Sequence, residues 1–234
     1  MNSSWEQLDT DGFVMLPDVF DRNQVSESIE QLNLAFQQSS DSVLRSRGQT
    51  YGSRNLLEIE PRIVKLLQNH QIRALVSSVL GSEAGIVRAL FFDKPPNRSW
   101  SLPWHQDRTI AVKDNQMASS LFSKPTTKAG IPHVEAPKSL LETMLTVRIH
   151  LDEMNRENGP LSVIPGSHRG DSDRHPIELS AEAGDVLAMR PLISHASSMS
   201  LPESTAHRRI VHFEMAASEE LPDQFQWFTF LSID

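Results

Sequence analysis

The sequence predicts a mainly β fold, a sandwich or barrel of short strands flanked by helices. Residues 86–215 contain short runs rich in β-branched and aromatic residues, separated by clusters of Pro, Gly, Asn and Asp, which is typical of strands joined by turns. Before residue 85, apolar residues recur instead at helical spacing. No repeat, low-complexity tract or linker divides the 234 residues. We therefore expect a single domain, 1–234, with a mostly helical part over 1–84 and a β core over 85–234.

The N-terminal part opens with DGFVMLPDVF at 11–20, which has the pattern of an extended segment. A helix should follow, with Asp21 as its cap. Its apolar positions recur at helical spacing at Val25, Ile29, Leu32 and Phe36. Pro61 suits the first position of a second helix, and a third apolar stretch over 72–80 stops at Gly81. Each helix has an apolar face to bury, and we expect these faces to cover the sheet.

The second part contains six runs with the composition of strands. In chain order they are IVRALFFD (86–93), MLTVRIHL (144–151), LSVIP (161–165), DVLAM (185–189), LISH (192–195) and RRIVHFEM (208–215). Two long connections separate some of these runs, at 113–138 and at 166–176. Long loops in compact domains are usually functional or disordered, and we expect the first of them to be a lid that contributes to specificity.

Two of the runs alternate in polarity. One face of MLTVRIHL carries Leu145, Val147, Ile149 and Leu151, and the other carries Thr146, Arg148 and His150. In RRIVHFEM the residues Val211, Phe213 and Met215 oppose Arg208, Ile210, His212 and Glu214. We expect the apolar faces to pack on the helices. The polar faces could line a pocket or meet water, and alternation alone leaves both possibilities open.

Composition excludes several classes of protein. The chain is 38% hydrophobic and 22% charged, without a run near the ~18 consecutive apolar residues of a membrane span and without an apolar leader. We therefore expect a cytoplasmic protein with no membrane partner. A net charge of −8 argues against a nucleic-acid partner. The absence of Cys means that any bound metal must be held by histidines and carboxylates.

The segment WHQD places His105 and Asp107 two positions apart. On a strand these side chains share one face, so they could bind one metal ion together or simply be exposed polar residues. His195, at the end of LISH, could supply a third ligand. Two imidazoles and one carboxylate form the facial triad of non-haem Fe(II) oxygenases. The arginine pair that begins RRIVHFEM suits a carboxylate such as the distal one of 2-oxoglutarate.

Six segments in order resemble the phytanoyl-CoA dioxygenase family of Fe(II)/2-oxoglutarate-dependent oxygenases. They are DGFVMLPDVF, ALFFDKPP, WHQD, LTVRIHLDEMNRENGPLSVIPGSH, GDVLAMRPLISHASS and RRIVHFEMA. The resemblance implies a double-stranded β-helix, a cupin-like jelly-roll, with the N-terminal helices packed on its major sheet. It also implies that His105, Asp107 and His195 bind iron. Because Asp107 is present where halogenating relatives have a small residue, halogenation is disfavoured.

The resemblance also implies how the co-substrate is bound. Arg208 matches the arginine that binds 2-oxoglutarate, and Arg209 is the alternative, since adjacent strand residues point to opposite faces. Ser197, two residues after the distal histidine, is expected to hydrogen-bond the co-substrate. Arg148 occupies a position where some members have Trp, so this chain is expected to make a different contact there, with the co-substrate or with a charged substrate.

The expected activity is hydroxylation of a C–H bond of a small molecule, with consumption of O₂ and 2-oxoglutarate and release of succinate and CO₂. The alternative is a non-catalytic jelly-roll that binds or senses a small molecule in the same pocket. A cupin-type metal-dependent isomerase or hydrolase is disfavoured, because it needs no arginine to anchor a carboxylate. The sequence leaves the substrate and the oligomeric state open.

For the remaining histidines, the aromatic residues and Gln106, we expect mainly structural or surface roles. His168 should be structural, and His133 could face substrate or water. His70, His175 and His207 should be solvated surface residues. Phe91, Phe92 and Trp104 should pack rather than stack on a substrate, although Trp104, beside the predicted iron ligands, could do both. Gln106 should be an outward spacer between the two predicted ligands.

Overall fold

The computed structural model describes residues 3–39, 43–46, 49–96, 98–171 and 173–233. The helices are α1 (Ser3–Asp11), α2 (Arg22–Gln38), α3 (Leu56–Ile59), α4 (His70–Leu80) and α5 (Lys138–Leu141). Short 3₁₀ segments occupy Pro61–Gln68, Ser167–Arg169 and Pro222–Gln224. Within the described ranges, no helix combines the length and apolarity needed to cross a bilayer.

Strands dominate the rest of the chain. They are β1 (Phe13–Leu16), β2 (Val43–Ser46), β3 (Gln49–Ser53), β4 (Gly85–Asp93), β5 (Leu102–His105), β6 (Thr109–Ala111), β7 (Ser123–Lys128), β8 (Ile131–Glu135), β9 (Met144–His150), β10 (Leu161–Val163), β11 (Ile177–Glu178), β12 (Val186–Met189), β13 (His195–Ser197), β14 (Arg209–Ala216) and β15 (Leu231–Ser232). The predicted mainly β class with flanking helices is confirmed.

The strands form three antiparallel sheets. The major sheet has the order β1-β12-β9-β14-β4-β3-β2, with β15 paired to β4. The minor sheet has the order β11-β10-β13-β5, and a small third sheet has the order β6-β8-β7. Side chains of β4, β9 and β14 line one wall of a cavity, and side chains of β5, β10 and β13 line the opposite wall. The major and minor sheets therefore face each other across this cavity, as in a jelly-roll.

The N-terminal helices pack on the outer face of the major sheet. Apolar residues of α2 and α4, including Leu32, Ile72 and Leu75, share one buried cluster with Val147 of β9 and Phe213 of β14. This is the face that alternation predicted to be apolar. Burial of this surface holds the helices on the sheet, because removing apolar area from water stabilises the fold by about 25 cal/mol per Å².

Local sequence signals predicted several helix ends correctly. Asp21 caps α2 with its side chain on the backbone N–H of Gln24, and the Gln24 side chain accepts from the backbone N–H of Asp21 in return. Pro61 begins the 3₁₀ segment rather than an α-helix, and α4 ends at Gly81, whose φ is +86°. Strands β2 and β3 in the N-terminal part were not predicted.

The predicted loop over 113–138 is mostly a β-hairpin, so the absence of secondary structure expected there is wrong. Strands β7 and β8 are joined by Ala129 and Gly130, both with positive φ, as a tight hairpin turn requires. The segment 192–195 also differs from its prediction, because β13 begins only at His195. Leu192 and Ile193 are buried for packing, which gives them a strand-like composition without strand pairing.

Candidate metal and co-substrate site

His105 and His195 lie directly opposite each other in the minor sheet. His105 ends β5 and His195 begins β13, and the two residues are register partners with ring centroids 4.3 Å apart. In each ring Nδ1 lies near a backbone carbonyl two residues earlier, 2.8 Å from Pro103 O for His105 and 3.0 Å from Ile193 O for His195. A donating Nδ1–H leaves Nε2 with its lone pair free, which is the form that binds a metal.

Asp107 completes the cluster from a loop. Its carboxylate oxygens lie 3.9 Å from His105 Nε2 and 3.7 Å from His195 Nε2, and the ligand atoms of all three residues fall within 4.8 Å of one another. The expectation that His105 and Asp107 share a strand is wrong, because β5 ends at His105. The loop is held instead by the backbone N–H of Asp107, which donates to Pro191 O at 2.9 Å.

Gln106 also holds the loop that carries Asp107, through two side-chain hydrogen bonds. Its Nε2 donates to Leu192 O at 2.6 Å, and its Oε1 accepts from Arg108 at 3.1 Å.

Burial is the largest cause of the lowered pKa of His195, and the charge of Asp107 partly offsets this lowering. The neutral imidazole favoured by burial is also the form required of a metal ligand.

The cluster opens on a cavity of about 330 Å³ between the two sheets, a volume typical of small-molecule sites. The major-sheet wall includes Arg148 of β9 and Ile210, His212 and Glu214 of β14. The polar face of β14 and Arg148 of β9 therefore line a pocket, whereas Thr146 and His150 of β9 are buried without lining it. Alternation alone left open whether these polar faces line a pocket or meet water. The minor sheet decides this, because it covers them.

Arg208 and Arg209 have different surroundings. Arg208 is 4% exposed, lines the cavity, and has an Nε without a hydrogen-bond partner among the described residues. Burial lowers the pKa of Arg208 to about 10, so the side chain stays charged at neutral pH. Arg209 forms two hydrogen bonds with the Asp152 carboxylate, at 2.8 and 2.7 Å. Of the two, Arg208 has a donor available to a ligand in the cavity.

Ser197 lies beside a residue that the sequence did not identify as functional, Lys94. Ser197 lines the cavity, and its Oγ accepts from Lys94 Nζ at 3.2 Å. Lys94 is 1% exposed and also donates to Ser198 O at 2.6 Å. Burial and then the charges of Arg208 and Arg148 lower the pKa of Lys94 to about 6. The only signal in the sequence was a lysine directly after an apolar strand, inside ALFFDKPP.

Arg148 and Arg88 also face the cavity. Arg148 is 7% exposed, and its Nε has no hydrogen-bond partner within the described part of the chain. Burial, and then the nearby Arg208, lower the pKa of Arg148 well below its usual range. Arg88 was not predicted as a site residue, although it is the one charged residue inside the otherwise apolar run IVRALFF. Buried cations of this kind are stabilised by an anion.

The remaining histidines differ in their surroundings. His133 is fully buried and faces neither water nor the cavity, whereas His70 and His175 are exposed as predicted. His168 Nε2 lies 3.0 Å from Asp9 O, in agreement with a structural role. His207 is not simply solvated, because its Nδ1 lies 2.8 Å from the buried carboxylate of Asp93.

The three aromatic residues that were expected to pack have different surroundings. Phe91 lies in the core beside Phe36, with ring centroids 4.9 Å apart. Phe92 lines the cavity, and Trp104 is 46% exposed beside the metal cluster.

Comparison with known proteins agrees with this geometry. The family model described as phytanoyl-CoA dioxygenase (PhyH) matches residues 8–211. Ectoine dioxygenase from Sphingopyxis alaskensis is 27% identical over 169 residues, which cover 69% of this chain. The chain spans about half the length of that relative, 48%.

Solved structures show the same fold. The crystal structure of EctD from S. alaskensis with 2-oxoglutarate and 5-hydroxyectoine matches with a TM-score of 0.71 at 17% identity, covering 92% of this chain and 76% of that one. The α-ketoglutarate-dependent epimerase SnoN from nogalamycin biosynthesis matches with a TM-score of 0.65 at 16% identity, covering 95% and 89%. The predicted jelly-roll and the predicted family resemblance are confirmed. Because its family model extends over 8–211, this chain belongs to the phytanoyl-CoA dioxygenase (PhyH) family.

Proposed function

We propose that this protein is an Fe(II)- and 2-oxoglutarate-dependent dioxygenase that hydroxylates a C–H bond of a small molecule. The observation that carries the proposal is the cluster of His105, Asp107 and His195, whose ligand atoms lie within 4.8 Å of one another and open on the same cavity as Arg208. Two imidazoles and one carboxylate suit iron and leave positions for other ligands. The backbone carbonyls that hold both Nδ1 atoms fix the ring orientations that this role needs.

Arg208 and Ser197 would hold the distal carboxylate of 2-oxoglutarate. Arg208 supplies a buried guanidinium with a free donor, and Ser197 supplies a hydroxyl from the opposite sheet. Lys94 fixes the Ser197 side chain through its own hydrogen bond at 3.2 Å. Arg148 lies close enough to both Arg208 and Asp107 for their charges to affect its pKa, so it adds positive charge between the arginine anchor and the metal ligands.

Bound iron and 2-oxoglutarate supply the activation of O₂ and the oxidising power, and the co-substrate leaves as succinate and CO₂. The chain itself orients the ligands, neutralises the co-substrate charge and shapes the pocket. Apolar side chains of Leu90, Phe92 and Leu161 line the cavity beside the charged groups and exclude water from part of it. A partly dry site strengthens the electrostatic contacts that hold a charged ligand.

The test is succinate release with Fe(II), O₂ and a library of small molecules, combined with mass spectrometry of the molecule that stimulates it. A product that gains one oxygen atom supports hydroxylation. Succinate release with an unchanged substrate mass would instead support an epimerase, which is the activity of SnoN. Binding of 2-oxoglutarate without succinate under any condition would support the non-catalytic alternative.

The Asp107→Ala variant tests the metal assignment. We expect a loss of about 100-fold or more in iron affinity and in succinate release, because the only carboxylate of the cluster is removed. Glu83→Ala, at an exposed turn position, is the control and should retain both properties. An Asp107→Ala protein that decarboxylates 2-oxoglutarate at the wild-type rate would show that the triad assignment is wrong.

A further inference from the structure

One end of the cavity carries a group of charged side chains that the proposed iron and co-substrate sites do not use. Arg54, Arg88 and Lys128 line it together with Glu214, and we call these four residues the basic end. They come from separate parts of the fold, the segment after β3, strand β4, strand β7 and strand β14. Three cations therefore meet one carboxylate here, in a chain whose net charge is −8.

Arg88 is the central residue of the basic end. It is 8% exposed, and its Nη1 donates to Glu214 Oε1 over a long 3.3 Å contact. Its Nε and Nη2 are buried and have no hydrogen-bond partner within the described residues. A buried guanidinium with two unpartnered donor nitrogens is costly unless a ligand accepts from them. The planar arrangement of such donors matches the oxygens of a carboxylate, sulfate or phosphate.

Arg54 and Lys128 cannot compensate the charge of Arg88, because they are also cations and repel it. Burial, and then the charge of Arg88, lower the pKa of both Arg54 and Lys128. Lys128 Nζ donates to Thr109 Oγ1 at 2.6 Å, and both Lys128 and Arg54 are half-buried. The single carboxylate, Glu214, has its own pKa raised by burial. The group as a whole therefore has an excess of positive charge in a poorly solvated place.

The basic end is too far from Arg208 to share its ligand. Glu214, the register partner of Arg88, lies six residues beyond Arg208 along the chain, which is about 20 Å of extended backbone. Of the two cavity carboxylates in the described part of the chain, Asp107 belongs to the proposed metal site and affects the pKa of Lys128 less than Arg88, Glu214 and Arg54 do, whereas Glu214 is paired with Arg88. The co-substrate held at Arg208 therefore leaves the charge of the basic end uncompensated.

We propose that the substrate is a small anion whose carboxylate, sulfate or phosphate group binds at Arg88, with Arg54 and Lys128 completing the site. This inference rests on the proposed function, because it places the anionic group at one end of the cavity and the carbon to be oxidised near the metal cluster. The Arg88 donors fix the substrate orientation, and Arg54 and Lys128 add attraction and select against neutral molecules of similar size.

The experiment uses the full chain loaded with Mn(II) and 2-oxoglutarate, so that the Arg208 end is already filled. Sulfate, propionate and the neutral propionamide are titrated separately by calorimetry, at an ionic strength held constant with chloride. We expect one oxyanion to bind per chain with a dissociation constant in the millimolar range, and propionamide not to bind. The stronger of sulfate and propionate indicates whether the natural group is tetrahedral or planar.

Variants locate the bound anion. Arg88→Gln should weaken oxyanion binding about tenfold or more, since a charge-assisted contact is lost. Arg54→Gln, at a half-buried position, should weaken it less and serves as a second test if Arg88→Gln does not fold. Arg73→Gln, at an exposed position of α4, is the control and should bind as the wild type does.

Three results would overturn the inference. They are no oxyanion binding by the loaded wild type, unchanged binding in both Arg88→Gln and Arg54→Gln, and loss of binding in Arg208→Gln alone, which would place the anion in the co-substrate site. Failure of Mn(II) or 2-oxoglutarate to bind during loading would instead contradict the proposed function. The two proposals can therefore fail separately.

Discussion

Arg208 and Arg209 are adjacent and chemically identical, yet they have different partners. Arg209 begins β14 and bonds Asp152 on one side, whereas Arg208 lies on the cavity side, 4% exposed. The reason is the geometry of extended backbone, in which successive side chains point in opposite directions. The family resemblance limits the proposed co-substrate anchor to these two residues, and their surroundings in the structure distinguish them.

We expect Arg208→Gln and Arg209→Gln to separate binding from stability. Arg208→Gln should raise the KM for 2-oxoglutarate by about tenfold or more, because a charged donor to the distal carboxylate is lost. Arg209→Gln should leave that KM nearly unchanged and lower the free energy of unfolding by about 1–3 kcal/mol, because Asp152 loses a paired cation. Steady-state kinetics and urea unfolding measure the two effects. A reversed pattern would identify Arg209 as the anchor.

The turn between the β9 and β10 regions shows how an element of structure supports the site. Gly159 has a φ of +77°, and a Cβ built on it would lie 2.5 Å from Ser198 O and 3.1 Å from Lys94 Nζ. The carbonyl oxygen of Gly159 also accepts a 3.4 Å hydrogen bond from Lys94. This turn therefore packs against the lysine that fixes Ser197.

Gly159→Ala should be clearly more destabilising than Gly130→Ala. Both glycines have positive φ, but a Cβ at Gly130 meets nothing within 4 Å. Gly130→Ala should cost only the backbone penalty, about 1–2 kcal/mol. Gly159→Ala adds a backbone clash and should cost about 1–3 kcal/mol more. Thermal unfolding of the two variants measures the difference, and equal losses would mean that the Gly159 turn relaxes without disturbing Lys94.

Across the whole molecule, several histidines are enclosed by the packed sheets. His133 and His150 are both fully buried, in different sheets. Burial lowers the pKa of His133 to about 4 and that of His150 well below its usual range. The folded chain therefore keeps these rings neutral at a pH where the unfolded chain protonates them. Stability is fully present above a pH of about 6.5 and falls as the pH decreases toward the folded pKa.

The His133→Asn variant isolates one part of this effect. Asn keeps a donor near the position of Nδ1, which lies 2.9 Å from Ile131 O, and it does not titrate. Between pH 6.5 and 5 the wild type should lose roughly 1–2 kcal/mol more stability than the variant, since only the wild type has this titrating group. Urea unfolding at each pH measures the two curves. Parallel curves would show that His133 is protonated in the folded state.

Signals from residues close together in the sequence were sufficient to predict much of this architecture. The capping box at Asp21, the stop at Gly81 and the alternation in β9 and β14 depend on residues that are neighbours in the chain, so the sequence predicts them directly. The hairpin of β7 and β8 was missed because β7, with the sequence SKPTTK, is polar and exposed, and β8 is a short run interrupted by Pro132. β8 is anchored by Val134, which belongs to a buried apolar cluster, whereas β7 is held mainly by its pairing with β8.

The sequence by itself determined the family, the jelly-roll class and the three residues proposed to hold the metal, because residue type and the order of motifs carry that information. Only the tertiary structure decided that Arg208 rather than Arg209 faces the cavity, that Lys94 supports Ser197, and that two donor nitrogens of Arg88 have no partner among the described residues. These properties depend on which strands are covered and on which charges find partners. The contacts of Arg209, Lys94 and Arg88 join residues 57, 103 and 126 positions apart, and no local pattern encodes them.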